Sequence, residues 1–179
     1  MAWAILKSVG FEKTTDSAKA DVILIMTCSI REGAEKKVWN RVESFRHLKS
    51  KQKNRHRDVP LKIGILGCMA ERLKKGIFEK QQIVDLVMGP DSYRDLPRLL
   101  AVTGSGDRAV NVLLSQEETY ADVMPVSLSD NRVSAFVSIM RGCDNMCSYC
   151  IVPFTRGKER SRPIASILDE VRMLNYQLF

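Results

Sequence analysis

Apolar residues recur at helical spacing from Ala2 to Val9, and Gly10 supplies a stop. The run Asp21-Val22-Ile23-Leu24-Ile25-Met26-Thr27 is then continuously apolar and rich in branched residues. That is the pattern of a strand buried on both faces of a parallel sheet. Ala34, Val38, Val42 and Phe45 return on one face of a helix predicted from about Arg31 to Leu48. A second buried strand is predicted at Leu61–Gly67, followed by a helix from about Ala70 to Lys80. A third runs from Ile83 to Met88, is closed by Gly89-Pro90-Asp91, and precedes a short helix near Tyr93 to Leu100. Strands alternating with helices predict an α/β fold with a parallel sheet.

The pattern changes near Thr103. From there to about Arg132 only Val110 to Leu114 carries any periodicity, so residues 104–133 read as a connection. Residues 1–103 form the first domain, and 134–179 open a second. Ser134 to Met140 is predicted as a strand leading into a cysteine-rich segment, and Ile164 to about Tyr176 as a helix.

Composition narrows the class. The chain has 179 residues, enough for one domain or one domain plus part of another, and 45% of them are hydrophobic, which supports a real core. No apolar stretch approaches the roughly 20 residues of a membrane span. Five cysteines is an odd number, and no apolar signal segment opens the chain. The thiols are therefore expected in a reducing compartment, where clustered cysteines more often bind metal. A net charge of +7 suits a polyanionic partner without naming one.

Cys143, Cys147 and Cys150 stand in Arg141-Gly142-Cys143-Asp144-Asn145-Met146-Cys147-Ser148-Tyr149-Cys150, spaced C-x3-C-x2-C. Iron–sulfur clusters take thiolate ligands, usually four for a four-iron cluster. Three leave one iron open to a small molecule. A structural zinc site closes with four ligands, and His47 and His56 lie far upstream. The alternative is three structural cysteines. Cys28 follows the first strand and Cys68 the second. Ligands of open parallel sheets collect beyond the carboxyl ends of the strands. These two thiols therefore either share a metal centre or are ordinary buried cysteines.

The three-cysteine segment with Pro153-Phe154-Thr155-Arg156-Gly157 resembles the radical S-adenosylmethionine (SAM) enzymes. Thr27-Cys28-Ser29-Ile30-Arg31-Glu32, Gly67-Cys68-Met69-Ala70-Glu71-Arg72 and Gly89-Pro90-Asp91-Ser92-Tyr93-Arg94-Asp95-Leu96-Pro97 resemble the methylthiotransferases, closest to the transfer-RNA branch. The resemblance runs from about Ala2 to Asn175. It implies a parallel-sheet methylthiotransferase N-terminal domain, then the first strand–helix unit of a radical SAM (β/α) barrel. It makes Cys143, Cys147 and Cys150 the ligands of a 4Fe-4S cluster that binds SAM, with Tyr149 packed near SAM; a plain core aromatic is the alternative for Tyr149. Cys28 and Cys68 become two of three ligands of an auxiliary 4Fe-4S cluster. The first strand and third ligand are expected upstream of Met1 and the rest of the barrel downstream, so the chain reads as a fragment or splice form.

The activity the family implies is addition of a methylthio group to carbon 2 of N6-isopentenyladenosine beside the anticodon. Its partners would be transfer RNA and an electron donor, with no membrane, and its place the mitochondrion, or alternatively the cytoplasm. The competing reading is a non-catalytic partner or inhibitor of a cyclin-dependent kinase regulatory subunit. Arg156, Arg160 and Arg162 could meet a phosphate or the SAM carboxylate, although solvated surface charges are favoured. The basic run Arg46–Arg57 could touch an RNA backbone or be a solvated loop.

Overall fold

The computed structural model describes residues 1–29, 32–53, 59–124 and 135–178. The three expected strands form as β1 (Val22–Thr27), β2 (Lys62–Gly67) and β3 (Leu86–Met88). The weak periodicity after Thr103 is a fourth, β4 (Ala109–Asn111), so the sheet reaches into the predicted connection. The order is β1-β2-β3-β4, every pair parallel. Every residue of β2 and β3 is buried, as the unbroken apolar runs require, whereas β1, expected to be buried on both faces, is the half-buried edge of the sheet with Met26 59% exposed.

Alternate side chains of the strands serve two cores. Leu66, Leu86 and Met88 pack with Leu6 of α1 (Ala2–Ser8) and with Leu96 and Leu99 of α5 (Leu96–Gly104). Ile65 and Val87 face the opposite layer, meeting Val38 and Val42 of α2 (Glu32–Lys53), Met69 of α3 (Cys68–Leu73) and Ile77 of α4 (Gly76–Lys80). Burying each such side chain is worth about 1.5–3 kcal/mol, which makes these two layers the main source of the sheet's stability.

Several boundaries differ from the sequence reading. The helix predicted from Ala70 to Lys80 begins at Cys68 itself and is split at Lys74, whose φ of 50° lies outside the helical region. Tyr93–Asp95 forms a 3-10 turn before α5. Helix α2 runs on to Lys53, into the basic run expected as a loop.

The strand predicted at Ser134 to Met140 is the main correction. Residues 135–139 have no regular structure, and Ser134 lies outside the described residues. Only β5 (Met140–Arg141) forms, paired antiparallel with β6 (Arg160–Ser161), an element the hydrophobic pattern does not predict. The reason is burial: Phe136 is 101% exposed and Ile139 57%, so this apolar run has no surface to pack against. Between the two strands lie the cysteine segment and α6 (Val152–Arg156); α7 (Ile164–Leu178) follows as expected.

Candidate metal centre

The carboxyl ends of β1 and β2 are in register, Thr27 opposite Gly67, so Cys28 and Cys68 are the next residues of neighbouring strands. Thr27 Oγ1 donates to the Leu66 carbonyl at 2.6 Å and ties the two ends together. Gly67 has φ +98°, and a Cβ there would sit 2.6 Å from the Thr27 carbonyl oxygen, so this close approach requires glycine. Cys28 is exposed; Cys68 opens α3 and is buried. No disulfide joins any of the five cysteines.

The three-cysteine segment hangs from the β5–β6 pair. Gly142, at φ +77°, lies so close to Lys158 that any Cβ would collide with its carbonyl oxygen. Cys143 N donates to the Gly157 carbonyl at 3.1 Å, and Glu159 N to Asp144 Oδ1 at 2.9 Å, which closes the base of the loop. Cys150 N donates to the Cys147 carbonyl at 3.0 Å, forming a turn. Cys147 is exposed, and Cys143 and Cys150 are half-buried. Beside Cys143, Met146, Phe154 and Lys158 is a cavity of about 430 Å³. Tyr149 is 90% exposed, so the core-aromatic alternative does not hold.

Electrostatics join the two regions. Arg156 Nε, at the end of α6, donates to Cys68 Sγ at 2.9 Å. The carboxylate of Asp91 is fully buried between two guanidiniums: Arg141 Nη2 meets Oδ1 at 2.9 Å, and Arg160 Nη1 meets Oδ2 at 2.8 Å. Ser115 N also donates to Oδ2, at 3.2 Å, and Arg141 lies over the ring of Tyr120. Arg162 and Glu170, each with a side chain 1% exposed, pair at 2.5 Å. Arg162 Nη1 also donates to the Ser138 carbonyl, and so fastens α7 to the segment before β5. The expectation of solvated arginines at 160 and 162 is therefore corrected: both are buried, paired with Asp91 and Glu170.

Next to this edge Glu71 is 2% exposed, and its Oε2 has no partner among the described residues. Burial pushes its carboxyl up to about 7, with Asp91 adding to the rise and Lys74 opposing it. Burial likewise raises the Tyr93 phenol to about 12; its hydroxyl points at Met26 Sδ, 3.2 Å away. In the basic run, Arg46 pairs with Glu43 and Lys49 with Asp85, both at intramolecular partners; residues 54–57 lie outside the described residues. Sequence reading singled out neither Asp91 nor Glu71 as a site residue. The available signal was the arginines flanking the cysteine segment on both sides, which need an anion if buried.

Among the described residues no three His, Cys, Asp or Glu side chains converge tightly enough to hold a metal ion. The structure places Cys143, Cys147 and Cys150 on one short loop without closing them into a ligand set. Cys28 and Cys68 share a sheet edge, with no third ligand beside them among the described residues. The donor chemistry nevertheless fits: three thiols, soft ligands suited to iron–sulfur clusters, lie within eight positions of one surface segment.

Residues 1–89 match the uncharacterized protein family UPF0004. The chain is 64% identical over 177 residues to the mitochondrial tRNA methylthiotransferase CDK5RAP1 of Rattus norvegicus, covering 99% of this chain and 30% of that protein. It is 63% identical over 179 residues to CDK5RAP1 of Homo sapiens, covering 100% of this chain and 30% of the relative. It is 57% identical over 171 residues to the tRNA-2-methylthio-N(6)-dimethylallyladenosine synthase of Amoebophilus asiaticus, 96% of this chain and 34% of the relative. The chain thus spans about a third of the length of the relatives it matches. No helix among the described residues is long and apolar enough to cross a membrane. Residues 1–89 thus match the UPF0004 family, and the chain along its whole length is similar to tRNA methylthiotransferases.

Proposed function

We propose that this chain is the part of a radical SAM methylthiotransferase that carries both cysteine sets, and that the enzyme adds a methylthio group to carbon 2 of N6-isopentenyladenosine beside the anticodon of transfer RNA. The observation that carries the reading is the 2.9 Å contact from Arg156, six residues after Cys150, to Cys68. It brings the sheet-edge cysteine against the helix that follows the three-cysteine loop, where two sulfur-bearing centres must work on one substrate. The names of the relatives support transfer RNA as substrate and the mitochondrion as location. Nothing in the described residues favours the alternative of a kinase-regulatory-subunit partner.

In this reading Cys143, Cys147 and Cys150 would hold a 4Fe-4S cluster, and Cys28 and Cys68 would be ligands of a second. Held there, the first cluster would supply one-electron chemistry on SAM, which an inert aromatic C–H needs because it offers no acidic proton. An external electron donor is therefore a required partner. The chain's own residues position. Gly142 and the Cys143 N–H bond fix where the loop starts, α6 brings the loop against α3, and exposed Tyr149 stands free at the loop surface to pack on SAM. The first domain comprises residues 1–103 in this proposal, extended through β4, and the second begins at 134.

Anaerobic reconstitution with iron and sulfide tests the assignment. About four irons per chain are expected at the loop, lost on Cys147→Ala and kept on Cys28→Ala. Addition of SAM should change the electron paramagnetic resonance spectrum of the reduced protein. A closed tetrahedral zinc site at these cysteines, or no retained metal, would sink the reading.

A further inference from the structure

The β5–β6 pair contains an arrangement that sheets ordinarily avoid. Arg141 and Arg160 are direct cross-strand partners, and like charges opposite each other are destabilising. Both are nearly buried, with side chains 9% and 5% exposed, where repulsion is screened least. One carboxylate resolves it. Asp91, fully buried in the loop after β3, gives one oxygen to each guanidinium. Arg141 and Arg160 also reach backbone carbonyls of Pro90 and Ser115, so the pair is stitched to the sheet domain at several points around that carboxylate.

The two strands are the two ends of the cysteine loop. Arg141 stands two residues before Cys143, and Arg160 closes the far side. A single anion from the sheet domain therefore fixes both ends of residues 142–159, and the Arg156–Cys68 contact lies inside the span it fixes. We propose that Asp91 is the positioning residue that docks the three-cysteine loop onto the sheet edge and so sets the placement of Cys143, Cys147 and Cys150 relative to Cys68. Removing its charge leaves two buried guanidiniums facing each other, and the loop swings away from α3, exposing Cys68. The functional weight of this clamp rests on the cluster assignment above, but the clamp itself does not need metal.

The test is alkylation of Cys68 by iodoacetamide in the metal-free full chain, read at each cysteine by mass spectrometry. Asp91→Asn should raise the Cys68 labelling rate roughly tenfold or more, the signature of local opening. Leu99→Ala, a core truncation on the other face of the sheet, serves as a destabilised control and should not raise it selectively. Adding Arg160→Met to Asp91→Asn should restore much of the protection, because one guanidinium then has nothing to repel. A purely packing role predicts the reverse, a double variant labelled at least as fast as the single one. If Asp91→Asn does not fold, the Arg141→Met/Arg160→Met pair strands the carboxylate and should release Cys68 equally. Unchanged Cys68 labelling in a folded clamp variant, equal labelling in Leu99→Ala, or no recovery in the double variant would each overturn the proposal. Loss of iron binding with an intact labelling pattern would instead strike the cluster assignment alone.

Discussion

Two regions of this chain carry cysteines, and they are held by opposite kinds of force. Cys28 and Cys68 stand at the ends of neighbouring strands of an apolar sheet, half-buried in β1 and fully buried in β2, where Leu61, Ile63, Ile65 and Leu66 are each no more than 1% exposed. Cys143, Cys147 and Cys150 lie on a segment with little regular structure, whose flanking Arg141 and Arg160 are fastened by buried ion pairs to Asp91, 50 and 69 residues away in sequence. The first region is non-directional packing and tolerates local adjustment. The second depends on partners that become costly when either one is removed. The difference suits a loop that must hold a fixed position beside a rigid edge.

The comparison breaks most sharply at Glu170. Its carboxylate and the Arg162 guanidinium are both 1% exposed, so Glu170→Ala strands a buried cation at a cost of about 3–5 kcal/mol. The expected result is release of α7 while the sheet persists. Limited trypsin proteolysis should cut after Arg172 within the released α7 and leave the sheet domain intact; loss of both together would show that the two regions are one cooperative unit.

Gly67→Ala attacks the apolar side instead. At φ +98° and ψ −155° the backbone sits where residues with a Cβ rarely go, which costs roughly 1–3 kcal/mol before the clash with the Thr27 carbonyl is added. A lower denaturant midpoint is expected, with the β1–β2 ends spread and Cys28 and Cys68 no longer in register.

Glu71 adds a pH dependence to the edge between the regions. Its carboxyl is raised to about 7 by burial, so the folded protein holds this proton more tightly than the unfolded chain. Linkage then makes its contribution fall as pH rises from the ordinary carboxylate range to about 7 and stay level above it. Glu71→Gln, which cannot ionise, should flatten that slope, and its disadvantage against the parent should shrink toward pH 8. Melting temperatures at pH 5 and pH 8 check this; identical slopes in parent and variant would remove Glu71 as the cause.

How much of this was legible in the sequence follows the same division. Hydrophobic runs located β2 and β3, because a doubly buried strand leaves an unbroken apolar signature; β1 carries the same signature at a half-buried edge, and strand ends located Cys28 and Cys68. The spacing of Cys143, Cys147 and Cys150 is local and could be read directly. Strand β4 was nearly lost, since three residues are too few for a period. Ser134 to Met140 misled because apolar content without a packing partner does not make a strand. The arginines misled most. Arg160 and Arg162 carry no local mark of burial, and their partners Asp91 and Glu170 lie 69 and 8 residues away. Only tertiary structure decides whether a charge is solvated or clamped.

The smallest expected effect measures how much burial matters to such pairs. Arg98 forks onto Asp95, with Nε and Nη2 at 2.5 and 2.7 Å from the two carboxylate oxygens, a bidentate geometry at least as good as either arm of the clamp, but Arg98 is 66% exposed. The pair is three residues apart on one helical turn, where ion pairs are worth about 0.2–0.5 kcal/mol. Arg98→Ala leaves Asp95 accepting from Asn111 Nδ2 at 2.9 Å and open to water, so no carboxylate is stranded. A change in stability below about 1 kcal/mol is expected, fading with added salt. If Arg98→Ala costs as much as Glu170→Ala, then geometry and not burial governs these ion pairs, and the contrast drawn between the two cysteine regions loses its physical basis.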